Sequence, residues 1–162
     1  MSATRRPNDD PFLLEINQHI GIVHRVCNVY FWDDPAERED VFQEVLYQLY
    51  KSYDQFGGKS KFSTWMYRVA LNTAITHFRK RKRKPPTEQL LPSHDAPVER
   101  DERDERIQQM YAAIETLSRL DKAIVLLYLD DLSYDEIADV TNLSKVNVGV
   151  RLVRIRKMLE QK

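Results

Sequence analysis

The chain has 162 residues, room for one ordinary domain or two small ones, and its 25 Lys and Arg are balanced by 25 Asp and Glu. A net charge of zero argues against nucleic acid only until the charges are located: Lys59 to Lys84 holds nine basic residues and no acid, Lys145 to Lys162 holds six against Glu160 alone, and the acids gather at Asp33–Glu44, Asp95–Glu105 and Asp130–Asp139. Cys27 is the only cysteine, no apolar stretch approaches the roughly 20 residues of a bilayer span, and Met1–Pro11 has no signal-peptide core, so no internal disulfide can form and a cytoplasmic protein without membrane contact is expected.

Glycine is scarce and apolar residues recur at three and four, which predicts an all-α chain. A first helix is expected from about Phe12 to Tyr30, with Leu13, Ile16, Ile20, Val23 and Cys27 along one side. A second runs from about Pro35 to Phe56, capped by Asp34 with Pro35 in its first turn, and buries Phe42, Leu46, Leu49, Tyr53 and Phe56. Gly57-Gly58 ends it. A third starts near Ser60 or Phe62 and passes through Trp65, Val69 and Ile75 into the basic run Arg79–Lys84. Pro85-Pro86 stops that helix, and residues 85–104, with four prolines, mixed charge and little to bury, read as a flexible linker. Periodicity resumes at Ile107, Met110, Ile114 and Leu117, then at Leu120, Ile124, Leu127 and Tyr128, and two shorter helices follow. The expected organisation is two small helical domains, residues 11–84 and 105–162, joined by the linker.

The segment Leu132–Ser144 has the spacing of a helix-turn-helix. Ser133 can cap its first helix with Glu136 as reciprocal partner. Ala138 is small where two helices cross, and Asn142 suits a left-handed turn residue. Ser144 caps a last helix whose inward stripe is Val148, Leu152, Ile155 and Leu159. The opposite face carries Val146, Val150, Val153 and Lys157, flanked by Asn147, Arg151, Arg154 and Arg156. Exposed valines gain nothing in water, whereas against duplex DNA they meet thymine methyls, and Arg154 can reach guanine or phosphate. Lys145, Asn147, Val150, Arg151, Val153 and Arg154 are the candidate contacts.

The third helix interleaves Trp65, Tyr67 and Phe78 with basic residues, a composition that suits single-stranded DNA. Phe62 and Val69 read as core; Trp65 is open between core and stacking surface. An enzyme is not expected: His19 and His24 are not at the i, i+4 spacing of two ligands on one helix face, and no Cys cluster, phosphate-cradling loop or nucleophile motif accompanies them, so no catalytic residue, metal or cofactor is assigned.

Two stretches together resemble a known family. One is Asp40-Val-Phe-Gln-Glu-Val-Leu-Tyr47, followed by Phe62-Ser-Thr-Trp-Met-Tyr-Arg-Val-Ala-Leu-Asn72, the basic run and Pro-Pro. The other is Leu117-Ser-Arg-Leu-Asp-Lys122, followed by Leu132-Ser-Tyr-Asp-Glu-Ile-Ala138 and Val148-Gly-Val-Arg-Leu-Val-Arg-Ile-Arg156. In this order they resemble the compact extracytoplasmic-function (ECF) sigma factors of bacterial RNA polymerase. The resemblance implies a chain of regions 2 and 4 only, which directs core polymerase to promoters.

Region 2 would then recognise and melt the −10 element through Lys59, Lys61, Trp65, Arg68, Asn72, Arg79, Lys80 and Arg81, with Asp54, Gln55 and Ser60 near a flipped base. Asp40, Gln43, Glu44 and Tyr47 match the motif that docks on the β′ clamp helices. Region 4 would sit on the β flap and read the −35 element, and an anti-sigma factor is a further candidate partner. Thr76 and Gly149 depart from the family pattern, where Asp and Lys are common. A free-standing helix-turn-helix regulator that binds duplex DNA without core polymerase is the alternative.

Overall fold

The computed structural model describes residues 10–83 and 102–161, and the described residues form helices and turns with no strand. The helices are α1 (Pro11–Gln18), α2 (Ile20–Phe31), α3 (Pro35–Ser52), α4 (Phe62–Arg83), α5 (Glu102–Glu115), α6 (Arg119–Leu129), α7 (Tyr134–Thr141) and α8 (Lys145–Glu160). Residues 84–101, most of the expected linker, lie outside the described residues.

The single first helix expected from Phe12 to Tyr30 is two. His19 leaves helical geometry at φ −118 and ψ 15. Its N–H donates to the Ile16 carbonyl at 3.1 Å and its own carbonyl accepts from Ile22 at 3.0 Å, a tight turn that ends α1 and starts α2. The break rotates α1, so Phe12 is buried and Leu13, expected inside, is exposed. Phe12 packs edge-on against Tyr53, ring centroids 5.0 Å apart.

Asp34 caps α3 by accepting the Glu37 N–H at 3.1 Å. The fully buried row of α3 is Val41, Val45 and Leu49, because α3 lies against both α2 and α4; Phe42, Leu46, Tyr53 and Phe56 flank that row half-buried. A 3-10 turn over Tyr53–Gln55 follows, and Gly57 and Gly58, at φ 61 and 70, reverse the chain into α4. Only glycine takes two successive left-handed positions cheaply.

In the second half, α6 is capped by Ser118 and supplies Ile124 and Leu127 to the core, where Ile114, Ile137, Val148 and Ile155 meet them. Each such side chain contributes about 1.5–3 kcal/mol by leaving water. The two halves also pack on each other, α2 against α5 and α6, and α4 against α7.

Candidate nucleic-acid interface

The start of α7 and the turn from α7 to α8 have the expected chemistry. Ser133 Oγ accepts the Glu136 N–H at 3.1 Å, and the Glu136 carboxylate accepts the Ser133 N–H at 3.2 Å. The backbone bond comes first among the causes that hold the Glu136 carboxyl below its usual range. Asn142 ends α7 at φ 60, in the left-handed region. Ser144 then accepts the Asn147 N–H at 3.1 Å and starts α8.

Val148, Leu152 and Ile155 pin α8 inward, which fixes what faces out. Val146, Val150 and Val153 are 74%, 51% and 57% exposed, an apolar strip with no cover. Lys145, Asn147 and Arg154 are exposed around it. Arg151 is not part of that face. It lies on the flank toward α6, where its Nη1 donates to Asp121 Oδ1 at 3.0 Å, so it braces two helices of one domain. The Cβ that Gly149 lacks would meet the Tyr134 ring at 3.5 Å, an ordinary contact.

On α4 the expected residues divide. Lys59 and Lys61, just ahead of the helix, and Asn72, Arg79 and Lys80 on it are exposed. Arg81 is half-buried over Phe31 and pairs with Asp34 at 3.4 Å, holding the end of α4 to the start of α3. The side chains of Lys82 and Arg83, and all of Lys84, lie outside the described residues. Trp65 is 8% exposed, its ring 5.2 Å from Phe56, 5.4 Å from Phe62 and 6.3 Å from Tyr53. In this arrangement the indole is core, held by an aromatic cluster, and the DNA-facing alternative is not the one adopted. Asp54 and Gln55 are exposed beside that cluster, and Ser60 is half-buried.

On α3, Asp40, Gln43 and Tyr47 stand exposed in one row, and half-buried Glu44 accepts the Gln48 amide at 3.0 Å. One site escaped the sequence reading. A cavity of about 380 Å³ opens between α5, α6 and α8, lined by Met110, Ile114, Tyr128, Leu129, Leu152 and Leu159. Its signal was the apolar Met110 and Tyr128, which belong to the helical periodicity yet are exposed, as is Leu129 beside them. Cys27 is buried, and burial pushes its thiol up to about 12, far from a reactive thiolate. Among the described residues no group of three or more His, Cys, Asp or Glu could hold a metal, and no helix is long and apolar enough to cross a membrane.

Polar contacts join the halves around Asp130, the residue after α6. Its carboxylate, 13% exposed, accepts Arg25 Nε at 2.9 Å and the Tyr67 hydroxyl. Burial and the bond to Asp130 push the Tyr67 hydroxyl up to about 12. Burial works against the Arg25 charge, but its bonds to Tyr67 and Asp130 outweigh that and it holds its proton more tightly than usual. Nearby, Arg68 Nη2 donates to the Asp139 carbonyl at 3.2 Å and lies 3.9 Å from its carboxylate, and Lys61 is 3.8 Å from Glu136. Lys122, 2% exposed, holds its ammonium 4.6 Å from the Phe78 ring centroid. Trp32 stacks on Tyr111 with centroids 4.1 Å apart, and the Tyr30 hydroxyl donates to the Arg119 carbonyl at 2.6 Å.

The described residues thus form two helical units, the second ending in a helix-turn-helix with an open basic and apolar face. Residues 16–84 match the family model of sigma-70 region 2 and residues 107–159 that of sigma-70 region 4. The ECF RNA polymerase sigma-E factor of Haemophilus influenzae is 34% identical over 139 residues, 76% of this chain and 72% of that protein. The RNA polymerase sigma-H factor of Pseudomonas aeruginosa is 31% identical over 147 residues, 82% of this chain and 76% of the relative. The fold is shared with the sigma factor RpoE of Bartonella quintana, solved with the anti-sigma factor NepR, at a TM-score of 0.72 and 18% identity over 93% of this chain and 94% of that one. It is shared as well with CnrH, solved with the cytosolic domain of CnrY, at a TM-score of 0.69 and 17% identity over 93% of this chain and 85% of that one. The chain belongs to the sigma-70 family, in its extracytoplasmic-function group.

Proposed function

We propose that this sigma factor places core polymerase by laying α8 in the major groove of the −35 element and then holds the opened −10 strand with α4 and the loop before it. The observation that carries the reading is the strip Val146, Val150 and Val153, exposed on a helix whose other side buries Val148, Leu152 and Ile155. In this reading Asn147, Val150, Val153 and Arg154 choose the −35 sequence and Lys145 grips phosphate. Lys59, Lys61, Arg68, Asn72, Arg79 and Lys80 serve the −10 region, while Trp65 acts through packing by shaping the Asp54–Lys61 loop where a flipped base would be read. Stacking and hydrogen bonds there offset an unstacking cost of a few kcal/mol per base.

Asp40, Gln43, Glu44 and Tyr47 form the face for the β′ clamp helices; carboxylates so placed are repelled by DNA and suit a protein partner. The apolar cavity between α5, α6 and α8 is the seat for a segment of the β flap, since an apolar groove accepts the apolar face of a helix. An anti-sigma factor, like the one bound to the Bartonella quintana neighbour, is the third class of partner.

The test is run-off transcription from fragmented genomic DNA with core polymerase and the purified chain. Discrete start sites should depend on the chain, and Asp40→Lys with Glu44→Lys should abolish them along with co-purification with core. Duplex promoter binding by the chain alone, unchanged by core, would favour the free-standing regulator instead.

A further inference from the structure

The outward face of α8 is unusual in what it offers a base pair. Val146, Val150 and Val153 stand at i, i+4 and i+7, a single stripe along the helix, and each is more than half exposed. Polar side chains that could read bases lie to one side of it: Asn147 and Arg154 share a flank, and both are exposed. The other flank is Gly149, which has no side chain, with the Tyr134 ring 3.5 Å from where its Cβ would be. Exposed Lys145 and Lys157 stand at the two ends of the stripe, Lys145 3.5 Å from the exposed Asp135, and the first turn of α8 holds no acid. An apolar stripe edged by cations is complementary to the floor of a major groove between two rows of phosphates. Its length is about 10 Å, that of three base-pair steps of about 3.4 Å.

We infer that α8 selects its element by the positions of C5-methyl groups, so that a cytosine methylated at C5 is accepted under the valines ahead of an unmethylated one. The inference rests on the reading of α8 as the −35 helix and names what that helix detects. In the major groove thymine presents a C5-methyl and a carbonyl acceptor, whereas cytosine presents a bare C5 and an amino donor. A valine makes no hydrogen bond to either. Over thymine it gains the burial of the methyl. Over cytosine it loses that contact and covers the amino group without supplying an acceptor. Methylating that cytosine restores the methyl at the same place and leaves the amino group as it was, so it recovers the methyl part of the loss. Asn147 and Arg154 read by hydrogen bonds on their own flank, and the stripe reads methyls at the adjoining base pairs. The −35 contact thereby becomes sensitive to base methylation of the promoter.

The test measures the holoenzyme, the purified chain with core polymerase, by anisotropy on a fluorescein-labelled duplex carrying the −35 region of the strongest start site in run-off transcription. The −35 thymines are replaced one at a time by deoxyuridine, which removes only the C5-methyl. Burial of one methyl corresponds to about fourfold in affinity, so each position under a valine should weaken by about fourfold and the others should not move. At such a position cytosine paired with guanine should bind more weakly still, and 5-methylcytosine there should recover about fourfold. Val146→Ala, Val150→Ala and Val153→Ala should each abolish the uridine effect at one position. All three sites are exposed and alanine favours helix, so the melting temperatures should stay with the parent. Uridine bound as tightly as thymine at every position overturns the inference and leaves α8 as the −35 helix. A uridine penalty that persists unchanged in all three variants also overturns it, because groove shape and not contact is then being sensed. Variants that lose core polymerase instead of DNA overturn it too and assign the stripe to a protein partner. If a scrambled −35 duplex binds as tightly as the native one, both the inference and the −35 reading fall.

Discussion

Helices α8 and α4 of this sigma factor treat their unusual residues in opposite ways. On α8 the oddity is aliphatic, three valines in solvent, and the fold leaves it unsatisfied because Val148, Leu152 and Ile155 already fill the core side. On α4 the oddity is aromatic, and the fold absorbs it: Trp65 finds Tyr53, Phe56 and Phe62 within its own domain. An exposed apolar residue opposite a complete core stripe points outward to a ligand, whereas an aromatic on a helix with neighbouring aromatics is claimed by packing first. One helix thus presents its unusual residues to solvent, and the other packs them into a scaffold.

The sharpest way to break this contrast is Trp65→Ala. Truncating a buried indole should cost about 3–5 kcal/mol and make the α1–α4 half melt well below the other half in calorimetry. An unchanged melting profile would return Trp65 to the DNA-facing reading.

A second effect concerns the boundary between the halves. The Tyr67 hydroxyl titrates near 12 here and near 10 unfolded, so its stabilisation is intact below 10 and lost as pH rises through the interval between them. Scattering should report expansion over that interval, and Tyr67→Phe should remove the step.

Smaller still is the effect of Arg154→Ala, which should weaken some −35 variants more than others by about 1–3 kcal/mol without moving the melting temperature. A uniform loss across −35 sequences would reduce Arg154 to a phosphate contact. The least is Gly149→Lys: the new Cβ has room beside Tyr134, helix propensity improves by about 0.5–1 kcal/mol, and the salt dependence of duplex binding should steepen by about one phosphate contact.

The C-terminal half was legible in the sequence because its signals are local. A Ser cap with Glu three residues on, an Asn at the turn and a second Ser cap are each decided by neighbouring atoms, and all appear as expected. The N-terminal half was legible in its elements and less so in their phase. Nothing in the Phe12–Tyr30 pattern marks His19 as a break, since the apolar spacing runs through it; Phe12 reaching the rings across α3 is a tertiary event. Arg151 and Arg81 were placed on DNA by their charge, but Asp121 and Asp34, remote in sequence, took them first. The groove beside α8 needs three helices at once, and the Asp130 cluster needs both halves; no window of sequence contains either.

The break at His19 also has a bearing on where opening of the molecule can begin. An eight-residue helix does not persist alone in water, so α1 owes its shape to the docking of Phe12 and Ile16. Phe12 is tied to Tyr53, and Tyr53 to Phe62 and Trp65, so peeling α1 away removes support from the cluster that sets the loop before α4. Amide hydrogens of α1 should therefore exchange early, and the loop should follow them rather than the centre of α4, which makes this short segment the loosest foldon of the α1–α4 half and a lever on the loop before α4.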